Sequence, residues 1–512
     1  MSTVSRVVSG SVASWSGIGV MLLTQVVLVP LYLTYWNLET YGVWLAIQAL
    51  ISVLTSVDFG HQEFLGFEFL RVGKDNRTGI SRSLSAGLLV SMFLNAGQLA
   101  LVAGIIATGW LPHLLEKTVG IGSQTLHAAG LALVLLSVAW FIGTSLPGLI
   151  ARALAPYGYY PRMAWWGLLS TIVSAVVPII AVCCGADLLS TALVLTSALV
   201  VSSILQYVDM FRLLRHEGIT LELPSVALGS QNFLHSLAIS GKGLLETARL
   251  QGVRLLLAPL AGVASLAAFS TMRTGANVAL QGLNSITNPM LPDFMRFLHE
   301  RDQARSEAAF GMVWILVVSV MAPAIVLLQA CIEPLYLLWT RGRIVFDPVL
   351  FALLSLGVLV HALAQPAISI VRGNNLLRPQ LLLSALAAVV VVGGLYVLVP
   401  RMGMLGAGIA LLAAELVATA GYRLVAQRWL QQHHLAWPRQ AAAIAAAAIW
   451  IAAAGMAAML WLPQLKWVAL PCTLLLLGWN SWRYWQALPA FATGQARKFA
   501  IRLPGVKRLL VN

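Results

Sequence analysis

The stretch GKGLLETARLQGVRLLLAPLAGVASLAAFSTMRTGANVALQGLNSITN, residues 241–288, decides how the chain is read. Its apolar residues predict two hydrophobic helices joined at Pro259 to Gly262. The same stretch carries Lys242, Glu246, Arg249, Arg254, Arg273, Asn277, Gln281, Asn284 and Asn288. Each ionised group near the centre of a membrane helix costs about 2.5–3.5 kcal/mol, so five lying deep would cost on the order of 12 kcal/mol. Spacing shows how that cost is avoided. Lys242, Glu246 and Arg249 fall at i, i+4 and i+7, and Arg273, Asn277, Asn284 and Asn288 at i, i+4, i+11 and i+15, so each set makes one polar stripe. Two striped helices joined by a tight turn can face a shared watery cavity and show lipid their other sides. Four bases and one acid make that cavity cationic, which predicts a transporter for an anionic cargo. The competing explanation is that some of these groups snorkel to the interface, or that Lys242, Glu246 and Arg249 neutralise one another.

Composition agrees with a membrane setting. The 512 residues are 59% hydrophobic and 10% charged, where soluble domains carry roughly 25% charge. The net charge of +14 would point to nucleic acid only if the bases clustered on one soluble face. They are dispersed between apolar runs instead, so no nucleic-acid partner is expected and the bilayer is. Runs of about 20 apolar residues place spans near 12–34, 43–66, 84–109, 126–148, 163–183, 189–210, 236–258, 263–290, 309–330, 349–371, 380–399, 404–426, 440–462 and 467–487. The fold class is therefore an all-α polytopic membrane protein with about 14 transmembrane helices. With the N-terminus inside, 23 of the 32 Lys and Arg fall in inner segments, five in outer loops and four inside spans. That bias predicts cytoplasmic termini. The first apolar run is longer than a signal-peptide core and lacks a small-residue cleavage site, so it reads as a retained helix.

A weak internal echo suggests how the spans are grouped. Val29-Pro30-Leu31 closes the first span and Ala258-Pro259-Leu260 closes the seventh, each followed by an aromatic, Tyr41 or Phe269, that opens the next. Six spans separate them, so two halves would share one orientation. The expected organisation is an N-terminal lobe over 1–220, a C-terminal lobe over 221–430, and a final helix pair with a basic tail over 431–512. The cavity would lie between the two six-helix lobes. The longest connection is expected over 211–235. The tail from about Leu488 reads either as an amphipathic helix on anionic lipid or as plain positive-inside bias.

Other polar positions are few. The second span carries Gln48, Ser52, Thr55 and Asp58 along one face, then His61 and Glu63 where interfacial solvation would explain them. Asp58 suits proton or sodium coupling, or a structural partnership with an Arg or an amide. In the tenth span His361, Gln365 and Arg372 share a face, and Glu415 stands alone in the twelfth. Glu415 and Glu246 join Asp58 as candidates for ion coupling, although pairing with a cavity Arg would explain Glu415 equally well. Trp36, Trp110, Trp339 and Trp467 read as interfacial anchors. The four cysteines offer no metal-ligand or disulfide spacing. No nucleophile elbow, phosphate loop or Asp-x-Asp arrangement occurs, so no catalytic residue, metal or cofactor is expected.

These residues also carry a resemblance. Val29-Pro30-Leu31-Tyr32-Leu33-Thr34-Tyr35-Trp36, then Tyr41-Gly42-Val43-Trp44-Leu45-Ala46 and Asp58-Phe59-Gly60, resemble the opening of bacterial polysaccharide flippases of the Wzx type. These belong to the multidrug/oligosaccharidyl-lipid/polysaccharide (MOP) exporter superfamily. The run from Ala267 to Arg273, Asn288-Pro289-Met290-Leu291-Pro292 and Gly403 to Ala414 are similar to later segments of that family. The resemblance implies a twelve-helix, two-lobe core with an added pair. It implies flipping of undecaprenyl-diphosphate-linked O-antigen or other polysaccharide repeat units across the inner membrane by alternating access, beside polysaccharide polymerase machinery. Lys242, Arg249, Arg254 and Arg273, with Asn277, Gln281 and Asn284, would line the cationic cavity. Drug antiporters of the superfamily often place a carboxylate in the first helix, and residues 12–34 contain none. Three alternatives stay open: a cation-coupled multidrug antiporter, a membrane polymerase or glycosyltransferase, and a purely scaffolding membrane partner.

Overall fold

The computed structural model describes residues 3–115, 122–374 and 376–488, and every long element in it is a helix. The basic tail falls outside the described residues. In chain order the helices are α1 (Thr3–Tyr35), α2 (Leu38–Leu54), α3 (Ser56–Val72), α4 (Arg77–Ala107), α5 (Ser123–Tyr157), α6 (Tyr160–Cys183) and α7 (Leu188–His216). They continue as α8 (Val226–Ala261), α9 (Val263–His299), α10 (Gln303–Trp339), α11 (Pro348–Gly373), α12 (Leu377–Met402), α13 (Met404–Gln432), α14 (Arg439–Trp461) and α15 (Lys466–Ala487).

Among the described residues nine helices are long and apolar enough to cross a membrane, and α2 with α3 makes a tenth if taken as one bent span. With that pair counted once, the fifteen helices give fourteen segments, the number expected. The chain is a multi-pass membrane protein. The second span is broken rather than straight: α2 and α3 meet at Thr55 with a 42° bend. Hydroxyls explain the site of the break. Thr55 Oγ1 donates to Ile51 O at 2.9 Å and Ser56 Oγ to Val53 O at 2.6 Å, so side chains compete with the helix for its own carbonyls. Prolines shape α5 and α10, where π-helical turns over Phe141–Ser145 and Val317–Met321 precede Pro147 and Pro323. A missing N–H displaces the ladder there by one residue.

The predicted junction of the charged stretch is a single residue. Gly262, at φ 87°, caps α8 and starts α9. A side chain at that φ would be strained, so glycine allows the two helices to follow without a loop. The long connection expected over 211–235 is shorter than read, because α7 runs to His216 and α8 starts at Val226. Its middle is held to α4: Ser81 Oγ accepts from Thr220 N at 3.2 Å, Ser85 Oγ accepts from Glu222 N at 3.0 Å, and Arg82 approaches Glu222 at 3.4 Å. The connection between the spans read at 309–330 and 349–371 shrinks likewise, since α10 continues to Trp339.

Contacts divide the chain into two compact units, Met1–Thr271 with Leu395–Met404, and Met272–Gly394 with Leu405–Asn512. In the first unit α1 packs on α6, and α8 lies along α2, α3 and α4. Glycines allow that close approach: a Cβ on Gly60 would collide with the Ser240 backbone, and one on Gly42 with the Val263 carbonyl. In the second unit α14 packs on α11, α10 and α15.

The tryptophans divide by burial. Trp110 and Trp467 are 62% and 67% exposed, as anchors should be. Trp36 is not an exposed anchor. It is buried against Tyr32 and Trp44, and its indole N–H donates to Ala186 O at 2.9 Å.

Candidate functional site

Within the first unit the polar residues of α8 lie on a 36-residue helix. Lys242 and Glu246 are half-buried near its middle, while the Arg249 side chain lies outside the described residues. Arg254 is half-buried as well. Its Nη1 donates to Gln251 Oε1 at 3.3 Å, its Nε is buried without a hydrogen-bond partner, and the Tyr41 phenol lies beside it. A guanidinium held this way, with an amide and a phenol as its neighbours, keeps donor capacity for an anion.

Asp58, on α3, is 2% exposed. Its Oδ2 accepts from Gln62 Nε2 at 2.8 Å, and Gln62 Oε1 in turn accepts from Arg152 Nη1 at 2.9 Å. Arg152 also donates to Gly148 O at 2.9 Å. An amide thus bridges a buried acid to a half-buried base, which is the structural partnership considered for Asp58. Asp58 Oδ1 has no hydrogen-bond partner. Gln62 was not singled out in the sequence, and Arg152 read only as one of the cytoplasmic bases. The signal that could have found Gln62 is its i+4 spacing from Asp58.

His61 corrects an expectation. It is fully buried rather than solvated at an interface, with Nδ1 3.3 Å from Ser236 Oγ on α8 and its ring edge-on to Phe233. One turn further along the same contact, Ser240 Oγ donates to Val57 O at 3.1 Å. Glu63 is exposed and lines, with Arg152, a groove of about 710 Å³ whose other walls are mostly apolar, including Phe67, Leu70 and Leu168.

Within the second unit three helices bring sequence-predicted residues together. Arg273 and Asn277 on α9, His361 on α11 and Glu415 on α13 line one small recess of about 40 Å³, closed by apolar residues such as Leu280, Leu354 and Leu411. Arg273 is only 9% exposed. His361 Nδ1 lies 3.3 Å from Glu415 Oε2, a contact from α11 to α13. The amide stripe continues below: Asn284 Oδ1 accepts from Gln365 Nε2 at 2.7 Å, tying α9 to α11. Gln281 is half-buried with its Oε1 unpartnered, and the Asn288 side chain lies outside the described residues. The grouping of His361, Gln365 and Arg372 on one face resolves into separate roles, since His361 meets Glu415, Gln365 meets Asn284, and Arg372 is exposed. Among the described residues no group of three or more His, Cys, Asp or Glu is placed to hold a metal.

The sequence matches no family model and no curated protein. The structure does have counterparts. It is similar to a lipid II flippase, MurJ, in an inward closed conformation, with 12% identity, 93% of this chain and 98% of that chain covered, and a TM-score of 0.61. It is similar to an inward-facing multidrug resistance MATE family transporter of the MOP superfamily, at 15% identity, 81% and 99% coverage and a TM-score of 0.60. A MOP superfamily transporter from Pyrococcus furiosus matches at 16% identity, 84% and 96% coverage, and 0.55. This chain therefore has the fold of the MOP-superfamily transporters.

Proposed function

We propose that the protein translocates undecaprenyl-diphosphate-linked oligosaccharide repeat units across the bacterial inner membrane by alternating access. The observation that carries this reading is Arg273, a guanidinium held 9% exposed among apolar helices and lining a recess with the amide of Asn277. Such a placement is costly in a membrane helix and marks a cargo path. Arg presents a planar donor fork suited to diphosphate or to a uronic acid carboxylate, and a low dielectric strengthens the contact. Lys242, Arg249, Arg254 and Arg273 are the basic side chains this reading gives to the cargo, with Asn277, Gln281 and Asn284 as amide contacts. The acids fit a supporting part: Asp58 accepts from Gln62 and Glu415 faces His361, whereas a cation-drug antiporter would offer carboxylates to its cargo. Cytoplasmic termini and a neighbouring polysaccharide polymerase belong to the same reading.

The test is lipid-linked oligosaccharide in a deletion strain, fractionated by whether the glycan is reachable from the periplasm. The expected result is cytoplasm-facing accumulation with loss of surface polysaccharide, restored by the wild type and not by Arg273→Ala. Periplasm-facing single repeat units would overturn the reading in favour of a polymerase.

A further inference from the structure

A groove in the first unit carries one base and one acid that the cargo path does not use. We propose that this groove, between α1, α3, α5 and α6, binds an amine-bearing zwitterionic phospholipid, phosphatidylethanolamine. Its phosphate sits on Arg152, its ammonium on Glu63, and an acyl chain lies along the apolar walls. The inference stands apart from the reading of Arg273.

Shape and position come first. The groove of about 710 Å³ falls within the range of about 300–1,000 Å³ in which ligand sites occur. Phe67, Leu70 and Tyr160 line it and are 60%, 57% and 62% exposed, so it is open to lipid. Leu70 lies near the end of α3, Arg152 near the end of α5, and Tyr160 opens α6. Membrane helices reach the interface at such ends, so the charged residues lie where a headgroup meets its chains. Away from that end, Met21 on α1 and Leu168 on α6 continue the apolar wall. The Thr171 hydroxyl there is turned back to Gly167 O at 2.9 Å, and a Cβ on Gly167 would meet nothing within 4 Å.

Arg152 is held with half of its guanidinium to spare. Both Nη1 protons are taken, by Gln62 Oε1 and Gly148 O, each at 2.9 Å, and the group lies over the Phe59 ring at 5.5 Å. The N–H groups on Nε and Nη2 have no hydrogen-bond acceptor among the described residues, and the side chain lines the groove. Gly66 keeps that side open, because a Cβ there would stand 3.0 Å from Arg152 Cδ and 3.5 Å from Nε. Two parallel N–H groups suit two phosphate oxygens. Glu63 selects the rest of the headgroup. It is exposed on α3, where a carboxylate facing lipid is costly, and among the described residues it joins no ion pair. Arg152 and Glu63 sum to zero, so a purely anionic headgroup would meet the acid. A primary ammonium brings three N–H donors to that carboxylate, whereas a choline brings none.

The test is photolabelling of the purified full-length protein by phosphatidylethanolamine that carries a diazirine in one acyl chain, with labelled residues located by mass spectrometry. The expected result is label on Phe67, Leu70 or Leu168. Unlabelled phosphatidylethanolamine should compete about fivefold better than phosphatidylcholine or phosphatidylglycerol of the same chains, and diacylglycerol should not compete. Glu63→Gln should reduce that preference to less than about twofold. Gly167→Leu, or Thr171→Phe should the first variant fail to fold, should abolish the label by filling the groove. Label elsewhere only, or label that survives both filling variants, overturns the site. Equal competition by the three phospholipids, or an unchanged preference in Glu63→Gln, overturns the headgroup assignment, and so does competition by diacylglycerol. Stronger competition by phosphatidylglycerol would make this an anionic-lipid site, and by undecaprenyl diphosphate a part of the cargo path; either overturns the proposal.

Discussion

Asp58 and Glu415 are both carboxylates set into hydrophobic helices, and they are held in opposite ways. Asp58, in the first unit, is 2% exposed, accepts from an amide one turn along its own helix, and reaches Arg152 only through that amide. Glu415, in the second unit, faces a histidine from another helix and borders an open recess that also holds Arg273. The difference teaches what to expect of each. An acid bound through an amide to a base is fixed, and removing Gln62 leaves the Asp58 carboxylate buried without its donor. An acid that faces a ring from another helix across a small recess borders space that a ligand can enter. The first arrangement ties α3 to α5, and the second joins α11 to α13 beside a recess.

The comparison breaks most visibly if the relay is opened. Arg152→Met should lower stability by about 2–3 kcal/mol, since Gln62 Oε1 loses its donor while Asp58 stays buried. Thermal unfolding of detergent-purified protein measures this, and a change below about 0.5 kcal/mol would show the relay to be unimportant to the fold. Gly60→Val sharpens the same region through packing alone. Its side chain must enter space held by the Ser240 backbone, so a loss of about 1–3 kcal/mol is expected, with α3 and α8 pushed apart. Cysteine pairs introduced across α3 and α8 would report the separation as a fall in crosslinking yield.

A smaller effect lies outside the membrane segments. Asp187 caps α7 by accepting from Ser190 N at 2.8 Å, and the hydrogen bonds from Ser190 hold its carboxyl below the usual range. A depressed carboxyl contributes stability that is present above its unfolded value of about 4 and is lost as pH falls through the folded value. Asp187→Ala should therefore cost about 1 kcal/mol near neutral pH, and less once the wild type is taken into the acid range. A melting-temperature difference that stays constant with pH would contradict the capping role.

Much of this was legible in the sequence because membrane burial leaves a coarse trace. Apolar runs located the fourteen segments, Pro259 to Gly262 marked the junction of α8 and α9, and helical spacing placed Arg273 with Asn277. What was not legible depends on neighbours from distant parts of the chain. Thr55 and Ser56 bend a span by taking its carbonyls, although hydroxyls within helices are ordinary. His61 looks interfacial by position and is buried because Ser236 and Phe233, some 175 residues away, come to it. Trp36 looks like an anchor until Tyr32, Trp44 and Ala186 enclose it. Gln62 and Arg152 carried no pattern that would pair them, since the contact between α3 and α5 exists only in the folded chain.

The central claim is that the basic residues of α8 and α9 carry a lipid diphosphate. The most direct measurement reconstitutes purified protein in liposomes with a fluorescent undecaprenyl-diphosphate disaccharide and follows its passage between leaflets by a membrane-impermeant quencher. The account predicts passage with the wild type, a fall of about 100-fold or more with Arg273→Ala, and passage within about twofold of the wild type for Asp187→Ala, whose site is remote from the recess. Equal passage with wild type and Arg273→Ala would contradict it.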